Sequence, residues 1–273
     1  MSAQTTLQTL LATLTRISPA LAAQAAGTLF RRPPRQRTRD DEERFIRTGR
    51  SLKLPYGDTA LCGWEWGAGP TVVLAHGWGS RAGRWATLAP ALVESGHRVV
   101  AYDAPAHGRS PGLGASLPEF ARALSGVTKA TGPVFAAVGH SLGGAAIALA
   151  ASWGLELERA VLIAAPADPA SYEARFAEYL QMPPTVRELM SQDLQRQLGI
   201  TWAELDIPKV VRGLSIPALI IHDVDDADVA ANSGEAIAGG WPGAELMCTS
   251  GLGHRSIIRD PEVVSAVIQF IGN

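Results

Sequence analysis

The sequence has few cysteines, and the two that it has lie far apart. Cys62 and Cys248 form no CxxC pair, and neither has a cysteine or histidine neighbour at the spacing of zinc ligands. Both lie in apolar, strand-like runs, where a free cysteine usually behaves as a small buried hydrophobe. The sequence therefore predicts neither a disulfide framework nor a metal site, and it indicates no cofactor.

Long apolar runs and an excess of one charge are also missing. No stretch approaches the roughly 20 consecutive apolar residues that a membrane-spanning helix needs. The net charge is only −2, which excludes the strongly basic balance typical of nucleic-acid-binding domains. A hydrophobic content of 47% over 273 residues excludes a disordered chain and is sufficient for a large core. We therefore expect a globular protein with no nucleic-acid partner.

Residues 1–50 form a predicted N-terminal extension, helical at first and then rich in arginine. Its apolar residues recur at three- and four-residue steps, which places them on one helix face: Leu7, Leu10, Leu11, Leu14, Ile17 and Leu21. Eight arginines lie between Arg31 and Arg50, and the acidic residues 40–43 offset half of that charge. We expect the apolar face to pack on the main domain with the arginines in solvent. Contact with a membrane surface is the less favoured alternative.

No positive side chain precedes this apolar run, although a secretory signal normally has one there. A signal peptide is therefore the less favoured interpretation, and we expect a cytoplasmic protein.

From residue 51 onward, short β-rich runs alternate with helix-length segments. The predicted strands are residues 52–54, 61–66, 71–75, 98–103, 133–138, 160–164, 218–222 and 244–248, and the predicted helices are 80–95, 117–130, 142–153, 228–239 and 261–271. Continuous apolar strands interleaved with helices are typical of an α/β fold whose mostly parallel sheet is covered on both faces. Ligands of such sheets bind beyond the carboxyl ends of the strands.

The segment Gly139-His140-Ser141-Leu142-Gly143 follows one of these strands and precedes an alanine-rich helix. The pattern GxSxG in this context is typical of a nucleophile elbow, a strained turn that raises a serine above the sheet. Glycines flank the serine because side chains there would clash with neighbouring backbone. The free N–H groups at the start of the following helix would favour an oxyanion. A structural serine in a tight turn is the alternative.

In these elbow residues the sequence resembles the α/β-hydrolase fold superfamily. The resemblance extends from about Leu52 to the C-terminus. The resemblance implies a hydrolase domain over residues 51–273, with an eight-stranded sheet and a helical cap inserted at about 166–215. It also implies that His76-Gly77-Trp78-Gly79 is the oxyanion loop, with the backbone N–H groups of Trp78 and Leu142 as the donors. His76 and the turn at residues 103–110 would then brace loops.

The superfamily places its catalytic acid and then its histidine after the serine. Four aspartates follow the strand that ends near His222: Asp223, Asp225, Asp226 and Asp228. The family pattern of His-Gly, two residues, then Asp assigns the acid to Asp226, although Asp223 replaces the glycine. Asp225 and Asp228 remain alternatives. We expect the aspartates that are not the catalytic acid to form a solvated acidic loop, with Asp228 capping the next helix. His254, in a glycine-rich loop after the last strand, is the implied base.

The predicted cap is rich in aromatic and aliphatic residues at helical spacing, which favours a small to medium uncharged substrate. The resemblance implies a serine hydrolase that cleaves carboxylic esters through an acyl-enzyme. Thioesterase, lactonase, perhydrolase and carbon–carbon hydrolase activities use the same triad and remain alternatives. A ligand-binding protein on the same scaffold is an alternative of another class.

Overall fold

The sheet of this protein has eight strands and is flanked by helices in a computed structural model that describes residues 2–34 and 37–272. The strands are β1 Arg50–Tyr56, β2 Thr59–Trp66, β3 Thr71–Ala75, β4 Arg98–Tyr102, β5 Ala136–His140, β6 Arg159–Ile163, β7 Ala218–Asp223 and β8 Glu245–Thr249. Their spatial order is β1-β2-β4-β3-β5-β6-β7-β8. Only β2 runs against its neighbours, because β1–β2 and β2–β4 are antiparallel and all other pairs are parallel. This confirms the predicted fold class.

The described α-helices are α1 Ala3–Ile17, α2 Pro19–Phe30, α3 Asp40–Arg47, α4 Leu88–Glu94, α5 Leu117–Thr131, α6 Leu142–Ser152, α7 Ala170–Tyr179, α8 Pro184–Leu198, α9 Ile207–Val210, α10 Asn232–Gly240, α11 Gly253–Ser256 and α12 Pro261–Gly272. No helix within the described residues is long and apolar enough to cross a membrane.

The central strands β3 to β7 are buried along almost their whole length because helices cover both faces of the sheet. Along β3, Val73 and Ala75 belong to the core beneath α5 and α6, whereas Val72 and Leu74 belong to the core beneath α4 and α12. This alternation follows from the two-residue period of a strand. It fixes the register of the sheet, and hence the positions of the loops at its carboxyl edge.

Two predicted helices begin later than expected, each for a local reason. The segment 80–95 contains a short 3-10 helix, Ala82–Trp85, and then α4, because the ring of Pro90 would clash with the Ala86 carbonyl in a continuous helix. The segment 228–239 becomes helical only at Asn232. The backbone N–H groups before it are bound by an aspartate side chain, as described below.

The segment between β6 and β7 contains α7, α8 and α9, and α8 also packs against the N-terminal helices. Buried Ala22, Ala23 and Ala26 of α2 contact Met190 and Leu194 of α8 in one hydrophobic cluster. The predicted apolar face packs here only in part: Leu11 is buried in this cluster with Leu7 and Leu14 partly buried against it. The other half of that face, Leu10, Ile17 and Leu21, is exposed.

The expectation that both cysteines are buried was wrong for Cys248, which is exposed because β8 lies at the edge of the sheet. Arg39, Arg47 and Arg50 of the extension are exposed to solvent as expected, and they also form ion pairs with Asp41, Glu43 and Glu65. Arg31 departs from the expectation because it is mostly buried and pairs with Glu119. Arg35 lies outside the described residues.

Candidate active site

Ser141 occupies the turn between β5 and α6 with a left-handed backbone conformation, at a φ of 53°. A positive φ is uncommon for a residue with a side chain, and it persists only where the surrounding structure enforces it. The Ser141 N–H donates to the carbonyl of Ile163 at 2.8 Å, which anchors the turn to β6. The turn therefore has the strained geometry expected of a nucleophile elbow.

The glycines around Ser141 are required by the close approach of other backbone segments. A Cβ added at Gly139 would lie 2.5 Å from the backbone nitrogen of Gly144, and one at Gly143 would collide with the carbonyl oxygen of Ala75. A Cβ at Gly77 would lie 2.8 Å from the Cβ of Ser141. The loop after β3 therefore contacts the serine directly.

Asp226 and His254 form a hydrogen-bonded pair at the carboxyl edge of the sheet. The Nδ1–H of His254 donates to Oδ2 of Asp226 at 2.8 Å, and the Asp226 side chain is fully buried. Oδ1 of Asp226 accepts the backbone N–H groups of Asp228 and Val229, each at 2.8 Å. Burial by itself would raise the pKa of Asp226, but the hydrogen bonds from His254 and these N–H groups together lower it. The carboxylate is thus held ionised and fixed in position.

Asp223 is fully buried and braces the loop that carries His254, so the expectation of a solvated acidic loop was wrong for this residue. Its Oδ1 accepts the N–H of Gly253 at 3.0 Å, and its Oδ2 accepts the N–H of Leu252 at 3.2 Å and the hydroxyl of Thr249 at 2.7 Å. Only its place at the end of an apolar strand, where the family pattern has glycine, could have indicated this role.

The other two aspartates do not contact His254 through their carboxylates. Asp225 accepts the N–H of Gly251 at 2.8 Å. The half-exposed carboxylate of Asp228 lies 3.6 Å from Arg255. Asp228 does not cap α10, which is preceded by Ala231 and begins at Asn232.

Two further histidines lie beside this pair. The Nε2–H of His140 donates to the carbonyl of His254 at 2.8 Å, which links the elbow to the histidine loop. Burial, followed by the nearby His254, lowers the pKa of His140 to about 3, so its ring is neutral. His222 Nε2 lies 3.6 Å from Asp226 Oδ2, and burial lowers the pKa of His222 as well. Sequence reasoning missed His140, because only the packed structure places it against His254.

The two candidate oxyanion donors lie beside the serine. Leu142 is the first residue of α6, and N–H groups in the first turn of a helix have no partner within the helix. Trp78 follows Gly77 in the loop that contacts Ser141, and its indole packs edge-on against His107, with 5.2 Å between ring centroids. Trp78, Ser141 and Leu142 line the same cavity.

The loops behind the site are braced by groups that the sequence identified as structural. Buried His76 accepts the N–H of Ala104 at 2.9 Å, and its Nδ1–H donates to the carbonyl of Gly77 at 2.7 Å. Asp103 accepts the N–H groups of Ala82 and Arg109, both at 2.7 Å. These bonds confirm that His76 and the 103–110 turn brace loops.

The cavity beside Ser141 has a volume of about 370 Å³ and is mostly apolar. Side chains between β6 and β7 contribute Pro166, Pro169, Tyr172, Phe176, Leu194, Leu198, Trp202 and Leu205. The segment before and at the start of α5 contributes Ala115, Ser116, Leu117 and Pro118.

The N-terminal extension also reaches this cavity through Leu29, Phe30, Arg31 and Arg32. The sequence placed the whole arginine-rich segment outside the catalytic motifs. No local pattern marks these four residues as cavity-lining, because their contacts depend on how α2 packs against α8. Within the described residues, no three histidine, cysteine, aspartate or glutamate side chains are grouped so as to hold a metal ion.

Comparison of the sequence and the fold with known proteins identifies the family of this chain. Over 112 residues the chain is 37% identical to RutD of Variovorax paradoxus (strain S110), a match that spans 39% of this chain and 42% of that protein. Over 260 residues it is 26% identical to a non-heme chloroperoxidase of Streptomyces lividans, which spans 74% of this chain and 91% of that protein.

Among solved structures, the esterase RhEst1 from Rhodococcus sp. ECU1013 shares the fold, with a TM-score of 0.61 and 21% identity over 82% of this chain and 98% of the other. The family model described as "Alpha/beta hydrolase family" matches residues 72–267, well over half of the sequence. The chain belongs to the alpha/beta hydrolase family.

Proposed function

We propose that this protein hydrolyses carboxylic esters through an acyl-enzyme, with Ser141 as nucleophile, His254 as base and Asp226 as the acid of the triad. The observation that carries the proposal is the hydrogen bond between His254 and Asp226 at the carboxyl edge of the sheet. Ser141 lies at the same edge, has a strained backbone and lines an apolar cavity. A serine hydroxyl is a poor nucleophile until a base removes its proton, and the base needs a carboxylate to fix its tautomer.

In the first half of the reaction, His254 takes the proton of Ser141 Oγ as this oxygen attacks the ester carbonyl carbon. The carbonyl oxygen becomes an oxyanion that the backbone N–H groups of Trp78 and Leu142 stabilise. Collapse of this intermediate breaks the bond to the alcohol oxygen, and His254 donates its proton to the leaving alcohol. The acyl group is then esterified to Ser141.

In the second half, water attacks the acyl carbon while His254 removes one of its protons. The second oxyanion collapses, the bond to Ser141 Oγ breaks, and His254 returns the proton to the serine. The acid product leaves, and the enzyme is restored without any net change in charge or redox state.

The lining of the cavity supports a small to medium, uncharged and apolar substrate. A volume of about 370 Å³ lies at the lower end of typical small-molecule sites, which run from about 300 to 1,000 Å³. Arg31 lies in the wall, but its guanidinium pairs with Glu119 at 2.8 Å and therefore does not require an anionic partner. The proposed partner is thus a small ester.

A second candidate, perhydrolysis, is favoured by the relatives named non-heme haloperoxidases, one of which is 27% identical over 258 residues and comes from Rhodococcus erythropolis. Hydrogen peroxide in place of water would attack the acyl-enzyme and release a peracid and free Ser141. Measuring peracid formation with an ester and hydrogen peroxide would separate the two outcomes.

The test of the proposal is covalent labelling with a fluorophosphonate, combined with turnover of p-nitrophenyl esters. We expect the wild type to be labelled and to turn over repeatedly, and Ser141→Ala to do neither. Labelling that persists in Ser141→Ala would overturn the assignment of the nucleophile. A single slow turnover in the wild type would instead indicate a ligand-binding protein.

A further inference from the structure

The last residues of α2 and the turn after it, residues 29–32, form a wall of the cavity that contains Ser141; we call them the N-terminal wall. Leu29 and Phe30 face this cavity together with Phe176 and Trp202 from the segment between β6 and β7. These wall residues lie outside residues 72–267, to which the family model matches. The wall is therefore contributed by a part of the chain that this match does not cover.

The wall is held in place by the packing of α2 on α8. A Cβ added at Gly27 would lie 3.6 Å from side-chain atoms of Leu194 and Met190, so the two helices approach closely at this point. The rings of Phe30 and Phe176 pack with 5.2 Å between their centroids. Phe30 is thus fixed between the cavity and a side chain of α7.

Arg31 fastens the wall to two separate parts of the molecule. One guanidinium nitrogen donates to Glu119 of α5 at 2.8 Å, and another donates to Gln197 of α8 at 3.2 Å. The Arg31 carbonyl accepts the N–H of Ala115 at 2.8 Å. A single residue therefore joins the wall to a helix of the sheet domain and to a helix of the inserted segment.

We propose that the N-terminal wall sets the length of the acyl or alkyl chain that the cavity accepts, with Phe30 as the specificity-determining residue and Arg31 as a positioning residue. The substrate class rests on the proposed ester hydrolysis. In a cavity of about 370 Å³, the phenyl ring of Phe30 occupies space that a longer chain would need. Removing the ring extends the cavity toward α2 and leaves the serine, histidine and aspartate in place.

The experiment compares Phe30→Ala with Leu10→Ala, a matched control on the preceding helix whose side chain is 62% exposed. The measurement is kcat/KM for p-nitrophenyl acetate, butyrate, octanoate and decanoate. We expect Phe30→Ala to raise the ratio of the decanoate to the butyrate value about tenfold, since a few methylenes in a pocket are worth that much or more. Leu10→Ala should keep the wild-type ratio.

A binding measurement separates this inference from the proposed reaction. In the Ser141→Ala background, straight-chain alcohols from butanol to dodecanol are titrated into the protein. The measured signal is the intrinsic tryptophan fluorescence, to which the cavity-lining Trp78 and Trp202 contribute. We expect the tightest-binding alcohol to be longer with Phe30→Ala added than without it. This shift is expected even if the wild type hydrolyses no ester. The role of the N-terminal wall in chain-length preference can therefore be tested independently of the proposed hydrolysis.

Phe30→Leu and two substitutions of Arg31 complete the test. If Phe30→Ala melts at a much lower temperature, Phe30→Leu should still shift the preferred chain in the same direction by a smaller amount. Arg31→Ala should relax the chain-length preference through KM with little change in kcat, and Arg31→Lys should restore part of it. An unchanged chain-length profile in folded Phe30→Ala and Phe30→Leu, in both hydrolysis and alcohol binding, would overturn the proposal.

Discussion

Asp226 holds His254 with one carboxylate oxygen while two backbone N–H groups hold the other. The bond from His254 Nδ1 to Oδ2 and the bonds from Asp228 and Val229 to Oδ1 are all 2.8 Å long. Because Nδ1 carries the shared proton, Nε2 of His254 is left as the proton acceptor. The backbone therefore fixes the carboxylate of Asp226, and this carboxylate in turn orients the imidazole of His254.

Replacing Asp226 by asparagine should lower kcat/KM by about 10³-fold or more, because an amide can stabilise the wrong tautomer of the histidine. Steady-state hydrolysis of p-nitrophenyl butyrate measures the effect. Asp228→Asn is the control, since its half-exposed carboxylate makes no bond to His254. A greater loss in Asp228→Asn than in Asp226→Asn would reverse the assignment of the acid.

Replacing Asp223 by alanine should loosen the loop that carries His254. The substitution leaves the half-buried N–H groups of Leu252 and Gly253 without their acceptor. An orphaned N–H costs up to about 1–3 kcal/mol when it is fully buried. We expect a lower free energy of unfolding in urea, together with slower fluorophosphonate labelling of Ser141. Thr249→Val removes only one of the bonds to Asp223 and should have a smaller effect on both measurements. Equal labelling rates in Asp223→Ala and wild type would contradict the bracing role.

Replacing Gly143 by alanine should destabilise the fold at the elbow. The new methyl group would collide with the Ala75 carbonyl, a rigid part of β3, and overpacking of this kind costs about 1–3 kcal/mol or more. Gly213→Ala is the matched control, because no atom lies within 4 Å of a Cβ added there. Urea unfolding of both variants measures the difference, and equal midpoints would refute the prediction.

The stability of the protein should fall as the pH drops from about 6.5 toward 4. Burial lowers the pKa of His76 to about 4 and that of His140 to about 3, whereas both titrate near 6.5 when unfolded. Between these values the unfolded chain binds more protons, so acid favours unfolding by about 1.4 kcal/mol per pH unit for each histidine.

The check is the free energy of unfolding in urea at pH 7, 6 and 5. His140→Gln cannot take up the proton and should therefore show a shallower decline than the wild type between pH 6 and 5. Identical declines in both proteins would rule out His140 as a source of the pH dependence.

The sheet could be predicted from the sequence because each strand is a local apolar run. The strands β3 to β8 lie where the pattern places them, to within a few residues. For the inner strands β3 to β7 the reason is burial on both faces, which favours continuous apolar residues. The predicted helix 80–95 was wrong in its start, although Pro90 could have indicated it. Local stereochemistry thus accounts for both the agreement and that error.

The elbow of Ser141 could also be predicted from the sequence, because a strained turn between a strand and a helix needs glycines two residues before and two residues after the serine. The contact between Asp226 and His254 joins residues 28 apart, and four nearby aspartates offered the same chemistry. The family pattern indicated Asp226, and it is the path of the loops after β7 and β8 that brings this carboxylate against the imidazole. In the same way, the packing of α2 against α8 brought Phe30 into the cavity, since a contact between distant segments is set by how the elements pack and not by any local pattern.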